Sequence, residues 1–527
     1  MPKVLVSDSV DRAGLDILSQ VAEVDVKIGL SPEELVAIAP EYDAWMIRSG
    51  TQITKEAIEA GTKLKIIGRA GVGVDNVDVA AATRQGIVVV NSPEGNTIAA
   101  AEHALAMMLS LSRYVPAANA SVKASEWNRK AYIGTEVYKK TLGLVGMGKI
   151  GSHVAKAAKA MGMKLIAYDP YISAERAEQM SCRLVELDTL FREADYITLH
   201  VPKTSETANM INAEALAKMK PTTRIINCAR GGLIDEAALV QALADGQIAG
   251  AALDVFGNEP LEADSPLRNA GKNLVLTPHL GASTEEAQVN VAVDVAEQIR
   301  DVLLGLPARS AVNIPGLYAE ALEKLRPYLK MAEVLGNMVG QLAGGRVDAL
   351  TVRLQGNLAK QDSKPIVVAA LKGLLSPALR ERVNYVNAGI EAAERGIHVV
   401  ETRDESVRDY TDSLHLEAKG SLGVHTVTAA LMGDGEIRII NVDEFPLNVP
   451  PIANMLFTCH RDMPGIIGKI GSLLGSFNVN IASMQVGRKI VRGDAVMVLS
   501  LDDALPDGIL QEILKVPGIS DAYTVTL

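Results

Sequence analysis

The sequence predicts an α/β protein built around a doubly wound parallel sheet, with a smaller α/β unit before it and α+β segments after it. Three observations predict this. Residues 141–169, TLGLVGMGKIGSHVAKAAKAMGMKLIAYD, read as strand, glycine turn, helix, strand and a closing acid. Short apolar runs alternate with helical stretches as far as residue 283, the rhythm of repeated βα units. The chain then closes on strand–helix–strand–strand–helix–strand, the order of a ferredoxin-like module.

At 527 residues the chain is too long for one core, and about three or four domains are expected. Apolar residues make up 48% and aromatics only 4%, so the cores are aliphatic and rich in alanine. A net charge of −11 argues against non-specific nucleic-acid binding and against a basic membrane-binding surface. An anionic substrate must therefore be held by local arginines. Cys182, Cys228 and Cys459 are far apart and form no CxxC, so neither a metal site nor a disulfide framework is expected. Pro2 leads straight into KVLVSD with no leader-like pattern, and the apolar run 98–111 is broken by Glu102 and His103. The expectation is a cytoplasmic protein.

Taken in order, residues 1–97 carry strands in KVLVSDSV, VDVKIG, AWMIRS, LKIIGRAG and IVVVNSP, with helices at 11–18, 32–38 and 54–60. A long Ala/Met/Leu helix at 97–113 bridges to the second unit. There, strands LGLVG, KLIAYD, YITLHV, TRIINCA, GAALDVF and NLVLTPH alternate with helices. Five of their ends carry polar residues: Asp169, His200, Arg230, Asp254 with Glu259, and His279. Ligands bind beyond the carboxyl ends of parallel strands, so this clustering predicts a site. A helix at 285–304 follows, ended by ARSAVNIP. Helices at 318–342 and 376–379, strands and the turn-rich GDGEIRII follow in turn, and no chemistry is legible there. Pro446, Pro450 and Pro451 mark a linker to the module that begins at Asn454.

The glycine stretch has a mechanical reading. Gly146 permits a tight turn, Gly148 lets backbone approach a pyrophosphate, and Gly151 lets helix pack close to strand. The first N–H groups of the helix then face the phosphates. Asp169 lies about 20 residues on, where a carboxylate accepts the ribose hydroxyls of NAD and repels the extra phosphate of NADP. NAD is the predicted cofactor. Arg230 offers a fork for a carboxylate, His279 a base of near-neutral pKa, and Glu259 a partner for that imidazole. Singly, each has an ordinary alternative as a surface ion pair, a satisfied strand-end histidine or an exposed loop acid. Together, beside a dinucleotide site, they specify hydride transfer at a hydroxyl-bearing carbon next to a carboxylate. Gly231 and Gly232 are read as leaving room around the Arg230 guanidinium. His103 and His153 read as packing residues, His200 as ambiguous, and Cys228 as a buried wall of the cofactor pocket.

GRAGVGVDNVD (68–78), NSPEGNTIAAAEHALAMMLSLSR (91–113), GLVGMGKIG (143–151), NCARGGLIDEAAL (228–239), ALDVFGNEP (252–260) and PHLGAST (278–284) resemble the D-isomer-specific 2-hydroxyacid dehydrogenases. The likeness is greatest to the branch that acts on 3-phospho-D-glycerate. Residues 459–488 resemble an ACT domain, an amino-acid-sensing module. The resemblance implies a Rossmann-like cofactor domain (98–283) inserted in a flavodoxin-like substrate domain (1–97, returning at 284–316), an intermediate domain (317–450) and an ACT domain (454–527). It implies NAD-dependent oxidation of 3-phospho-D-glycerate in a homo-oligomer, a dimer of dimers. Arg230, Glu259 and His279 match the substrate arginine, catalytic glutamate and acid/base histidine. Lys149, Ile150, Asp169, Val201, Cys228, Asp254, Gly281 and Ala282 match cofactor positions. Val72 and Val201 stand where some members have threonine. Arg48, Arg69 and Asn96 match substrate positions, the arginines toward the phosphate, and Arg129 and Lys130 reach a neighbouring copy's site. His460, Asp462 and Asn480 match positions that hold L-serine between two ACT domains, although some serine-sensitive members have asparagine where Asp462 stands. The rivals are a glyoxylate or hydroxypyruvate reductase and a non-catalytic NAD-binding regulator.

Overall fold

The computed structural model describes residues 1–314, 319–406, 410–433 and 435–527, with 319–323 and 381 as backbone alone. The expected helix start at Tyr318, the 316/317 domain boundary and Asp434 of GDGEIRII lie outside the described residues.

The first unit is a five-stranded parallel sheet in the spatial order Glu23–Val26, Lys3–Val6, Ala44–Ile47, Ile66–Arg69, Val88–Asn91. This is the flavodoxin-like order. Its inner strands are short and mostly apolar because helices cover both faces, and Ala44–Ile47 is buried at every position. Asp11, Ser31, Thr54 and Asp78 cap the connecting helices through their side chains. The helix capped by Asp78, Val79–Arg84, is absent from the sequence reading. Helix Glu285–Leu303 returns to this sheet, with Val291, Val295 and Ile299 in one core with Val4, Val6 and Ile66. Gly68 makes that approach possible, since a Cβ there would stand 2.5 Å from Val295 Cγ1.

The second unit is a seven-stranded parallel sheet ordered Leu274–Leu276, Gly250–Leu253, Arg224–Asn227, Tyr196–Leu199, Thr141–Val145, Lys164–Tyr168, Cys182–Leu184. Strand order reverses beside Thr141–Val145, the place where a doubly wound sheet opens a crevice. The edge strand Cys182–Leu184 has three residues and gives no periodic signal in the sequence. Helix Thr97–Arg113 lies across this sheet through Ala101, Ala104, Met107 and Leu111.

The middle segment forms a mixed six-stranded sheet, His398–Asp404, Val347–Gly356, Asp412–Gly420, Gly423–Leu431, Ile437–Val442, Phe445–Val449, with only the first pair parallel. Helices Ala319–Ala343 and Lys364–Leu379 cross backbone to backbone: a Cβ on Gly373 would stand 2.0 Å from Glu333 O, and one on Gly336 2.1 Å from Ala370 O. The sequence predicts the second helix only at 376–379. It starts twelve residues earlier because Pro365 occupies its first turn, and its apolar residues run all round, which conceals the helical period. Pro446 is also corrected, since it lies in an edge strand opposite Asn441, where a missing N–H is tolerated, and not in a linker.

The closing module is a four-stranded antiparallel sheet, Ile481–Arg488, Asp494–Leu501, Asn454–Arg461, Ile519–Thr526, backed by helices Ile466–Ser476 and Ile509–Leu514 in the expected βαββαβ order. Its other face shares a core with the middle sheet, where Met455, Phe457 and Val525 meet Leu350 and Leu414. The Gln341 amide donates to Thr526 O at 2.7 Å and accepts from Thr526 N at 3.0 Å, tying the long helix to the module's edge. Among the described residues no helix is long and apolar enough to cross a membrane.

Candidate active site

The glycine turn has the geometry its spacing predicts. Gly146 has φ of 93°, and a Cβ on it would stand 2.6 Å from His200 O. One on Gly151 would stand 2.2 Å from Gly146 O, whereas around Gly148 nothing lies within 4 Å. The first and third positions are thus closed by backbone and the second is open, a cradle that fits a pyrophosphate at the start of helix Lys149–Ala160. Asp169 is held on both oxygens, from Met147 N at 2.7 Å and Tyr171 N at 2.8 Å. A groove of about 660 Å³ runs past Gly148, Lys149, Asp169 and Tyr171. Lys149 pairs across it with Glu94 of the first unit. His153 is exposed and lines this groove, so its reading as a packing residue is corrected.

A cleft of about 760 Å³ between the two α/β units is lined by Arg48, Arg69, Asn96, Arg230, Glu259, His279 and Ala282. The Arg48 N–H donates to Asp8 Oδ2 at 2.6 Å, which fixes the backbone of that loop. Arg69 is largely buried. Burial first, then the nearby Arg230 and Arg48, push its guanidinium down to about 10, still fully charged at neutral pH. Its Nε and the buried Asn96 Oδ1 have no partner among the described residues. Arg230 places Nε 3.3 Å from Asp75 Oδ2 and donates from Nη1 to Ala229 O at 2.6 Å. Space for its guanidinium comes from Gly73, where a Cβ would stand 2.4 Å from Nη2. Gly231 serves a different purpose, because a Cβ there would overlap Phe256 O at 1.6 Å. Arg268 also lines the cleft and donates to Leu261 O at 2.7 Å and Glu262 O at 2.8 Å; its only sequence signal is a basic residue in a turn.

His279 has φ of 55° and donates from Nδ1 to Glu259 Oε2 at 2.7 Å. Glu259 Oε1 accepts from Phe256 N at 3.0 Å, so the carboxylate is itself positioned. The His279 N–H donates to Asp254 O at 2.9 Å. The Asp254 carboxylate is fully buried. Burial favours its neutral form, but donors from His103, Thr277 and Leu280 N outweigh that and hold it below the usual carboxylate range. His103 is therefore no packing residue. It falls on the stripe of Ala100, Ala104, Met107 and Leu111 that faces the sheet, and a polar side chain there needs a partner. His103, Cys228 and Asp254 bring N, S and O atoms within 4.8 Å of one another. Burial, and then Asp254, push the Cys228 thiol up and keep it protonated in the free protein. His200 is pushed down to about 4 by burial and its Nε2 lies 3.0 Å from Thr198 Oγ1, so it is a neutral wall residue.

Arg129 and Lys130 lie exposed on the turn Arg129–Tyr132 and do not line this chain's cleft. In the closing module His460 is buried. Asp462 accepts from Arg488 Nη1 at 2.8 Å and Arg492 N at 3.0 Å, and Asn480 donates to Asp502. By register His460 lies opposite Ala495, while Asn480 precedes Ile481, which lies opposite Leu501 at the far end of the same strand. The three do not converge within one chain.

A dinucleotide cradle opening into a cleft that holds a carboxylate-bound imidazole and several arginines defines an NAD-dependent oxidoreductase of the 2-hydroxyacid class. A family model for the NAD-binding domain of D-isomer-specific 2-hydroxyacid dehydrogenases matches residues 105–281. One for the D-3-phosphoglycerate dehydrogenase intervening domain matches 324–443, and one for the ACT domain matches 454–518. The chain is 74% identical over 528 residues to D-3-phosphoglycerate dehydrogenase of Synechocystis sp., covering all of this chain and 95% of that one. It is 45% identical to D-3-phosphoglycerate dehydrogenase of Methanocaldococcus jannaschii over the full length of both. The crystal structure of TT0316 protein from Thermus thermophilus matches 59% of this chain and 99% of its own, at 34% identity and a TM-score of 0.55. The chain belongs to the D-3-phosphoglycerate dehydrogenases, in the long form that carries an intervening domain and an ACT domain.

Proposed function

We propose that the cleft oxidises C2 of 3-phospho-D-glycerate to 3-phosphooxypyruvate, the entry step of L-serine biosynthesis, through residues with separate tasks. Gly146 to Gly151, Asp169, Val201, Cys228, Asp254, Gly281 and Ala282 would hold NAD, which when bound accepts the hydride from C2. His279 commits its Nδ1–H to Glu259, so Nε2 carries the lone pair that takes the hydroxyl proton. Glu259 then steadies the imidazolium. Arg230 grips the α-carboxylate and polarises the forming carbonyl. Arg48 and Arg69 take the phosphate, Asn96 touches substrate, and Arg129 and Lys130 serve the cleft of a neighbouring copy.

The observation that carries this reading is Arg69, a largely buried cation whose Nε has no partner among the described residues, in the same cleft as His279. Carboxylate binding alone needs one guanidinium, and a phosphate accounts for the others. The test is initial-rate NAD reduction with 3-phospho-D-glycerate for wild type and Arg48→Ala. KM should rise about tenfold in the variant, with little change for reduction of unphosphorylated hydroxypyruvate. Equal losses on both substrates would favour the glyoxylate or hydroxypyruvate reductase reading, and tight NADH binding without turnover the regulator.

The ACT module serves as an amino-acid sensor, with L-serine as effector at His460 and Asp462 of one copy and Asn480 of another. Their separation within the chain supports a shared site in a dimer of dimers. The enzyme is placed in the cytoplasm. Repeating the assay with L-serine tests the effector, and light scattering tests the assembly.

A further inference from the structure

The Asp254 carboxylate is 0% exposed and has four polar groups around it. Oδ1 accepts from Thr277 Oγ1 at 2.6 Å and Leu280 N at 2.8 Å and stands 3.1 Å from His103 Nε2, which is also hydrogen-bonded to Thr277 Oγ1 at 3.2 Å; Oδ2 accepts from Gly281 N at 2.8 Å. Three of these belong to residues 277–281, the segment that carries His279. Among these four groups only His103 comes from elsewhere, from helix Thr97–Arg113 that bridges the two units. It therefore fixes the carboxylate relative to the bridge as well as to its own loop. The third face holds the protonated Cys228 thiol.

We infer that His103 is a positioning residue for the nicotinamide end of the cleft: its Nε2, set against both the Asp254 carboxylate and the Thr277 hydroxyl that donates to it, holds that carboxylate in place and so favours oxidised over reduced cofactor. A buried negative charge stabilises a cationic nicotinamide ring and does nothing comparable for the neutral reduced ring. With the imidazole gone, burial pulls Asp254 toward its neutral form, and the oxidised cofactor loses more than the reduced one. The inference rests on the proposed cofactor position of Asp254.

The experiment uses the full chain. NADH is titrated by its fluorescence and NAD by competition against it, in wild type, His103→Ala, His103→Gln and Asp254→Asn. In His103→Ala the Kd for NAD should rise about tenfold and that for NADH no more than about threefold, with KM for NAD rising more than kcat falls. His103→Gln, which keeps a hydrogen-bonding group there, should restore most of the difference. If His103→Ala does not fold, His103→Asn, whose shorter amide falls short of Oδ1, is read in the same way. A variant that melts earlier but keeps the wild-type Kd ratio, while Asp254→Asn changes it, overturns the inference and leaves the cofactor site standing. An unchanged ratio in Asp254→Asn overturns both.

Discussion

In the cleft, Arg69 and Asn96 keep buried polar atoms without partners among the described residues, and Arg230 meets only an exposed Asp75 and a neighbouring carbonyl. In the closing module the corresponding polar residues are already engaged, Asp462 by Arg488 and Arg492 and Asn480 by Asp502. An unpaired buried cation costs stability that an anionic ligand restores on binding, so the cleft is preorganised for its substrate. A ligand arriving at Asp462 must first displace an arginine. The cleft thus offers unpartnered polar atoms to a ligand, and the residues proposed for an effector offer engaged ones.

The strongest way to break this contrast is through the chemistry that the free cleft serves. His279→Ala should lower kcat for NAD reduction about 10²- to 10⁴-fold at saturating substrate, with the NADH Kd little changed. Full turnover in that variant would remove the proton-transfer role. Arg69→Met comes next. It should cut kcat/KM for 3-phospho-D-glycerate by about tenfold to a hundredfold and, in the same protein, raise folding stability by about 1–3 kcal/mol in urea titration. Activity and stability moving in opposite directions is the signature of a side chain kept charged for a ligand. A variant less stable than wild type would mean that Arg69 is paired in solution, and the contrast with the closing module would fail.

What could be read from the sequence divides along the same line. Gly146, Gly148, Gly151, Asp169, Arg230, Glu259 and His279 were legible as candidates because the proposed chemistry asks for a given residue type at a strand end or turn, and the local pattern shows the strand end. Arg69 was legible as a loop arginine, but its burial beside Arg230 and Arg48 depends on two units meeting. His103 was missed because its neighbour Asp254 lies just beyond a strand far along the chain, and only the packed helix brings them to 3.1 Å. Helix Lys364–Leu379 was missed over most of its length because an element buried on nearly all sides has no polar face to mark the period. Pro446 was misjudged because a proline reads alike in a linker and on a sheet edge.

His200 sharpens the contrast from within the cofactor unit, being polar, beside the cradle and held neutral. Its folded value near 4 lies below the ordinary 6.5, so the unfolded chain takes up a proton that the folded one refuses. Its contribution to stability is present above about pH 6.5 and falls away as pH drops toward 4. The loss should be about 3 kcal/mol by pH 4. Urea midpoints at pH 7 and pH 4.5 should lie closer together for His200→Asn than for wild type.

The smallest expected effects belong to the closing module. The Arg488–Asp462 pair is half open to water on its arginine side, and such pairs contribute about 0–1 kcal/mol. Breaking it should leave basal turnover within about twofold. What changes is competition for the carboxylate. Arg488→Ala frees Asp462 for the ammonium of an amino acid and should shift half-inhibition by L-serine to lower concentration by a few-fold. Asp462→Ala should abolish the response. Opposite shifts from the two ends of one ion pair would mark Arg488 as an internal competitor for the effector's place. Identical shifts would mean that the pair only supports the fold of the loop, and the module would then stand apart from the cleft in purpose.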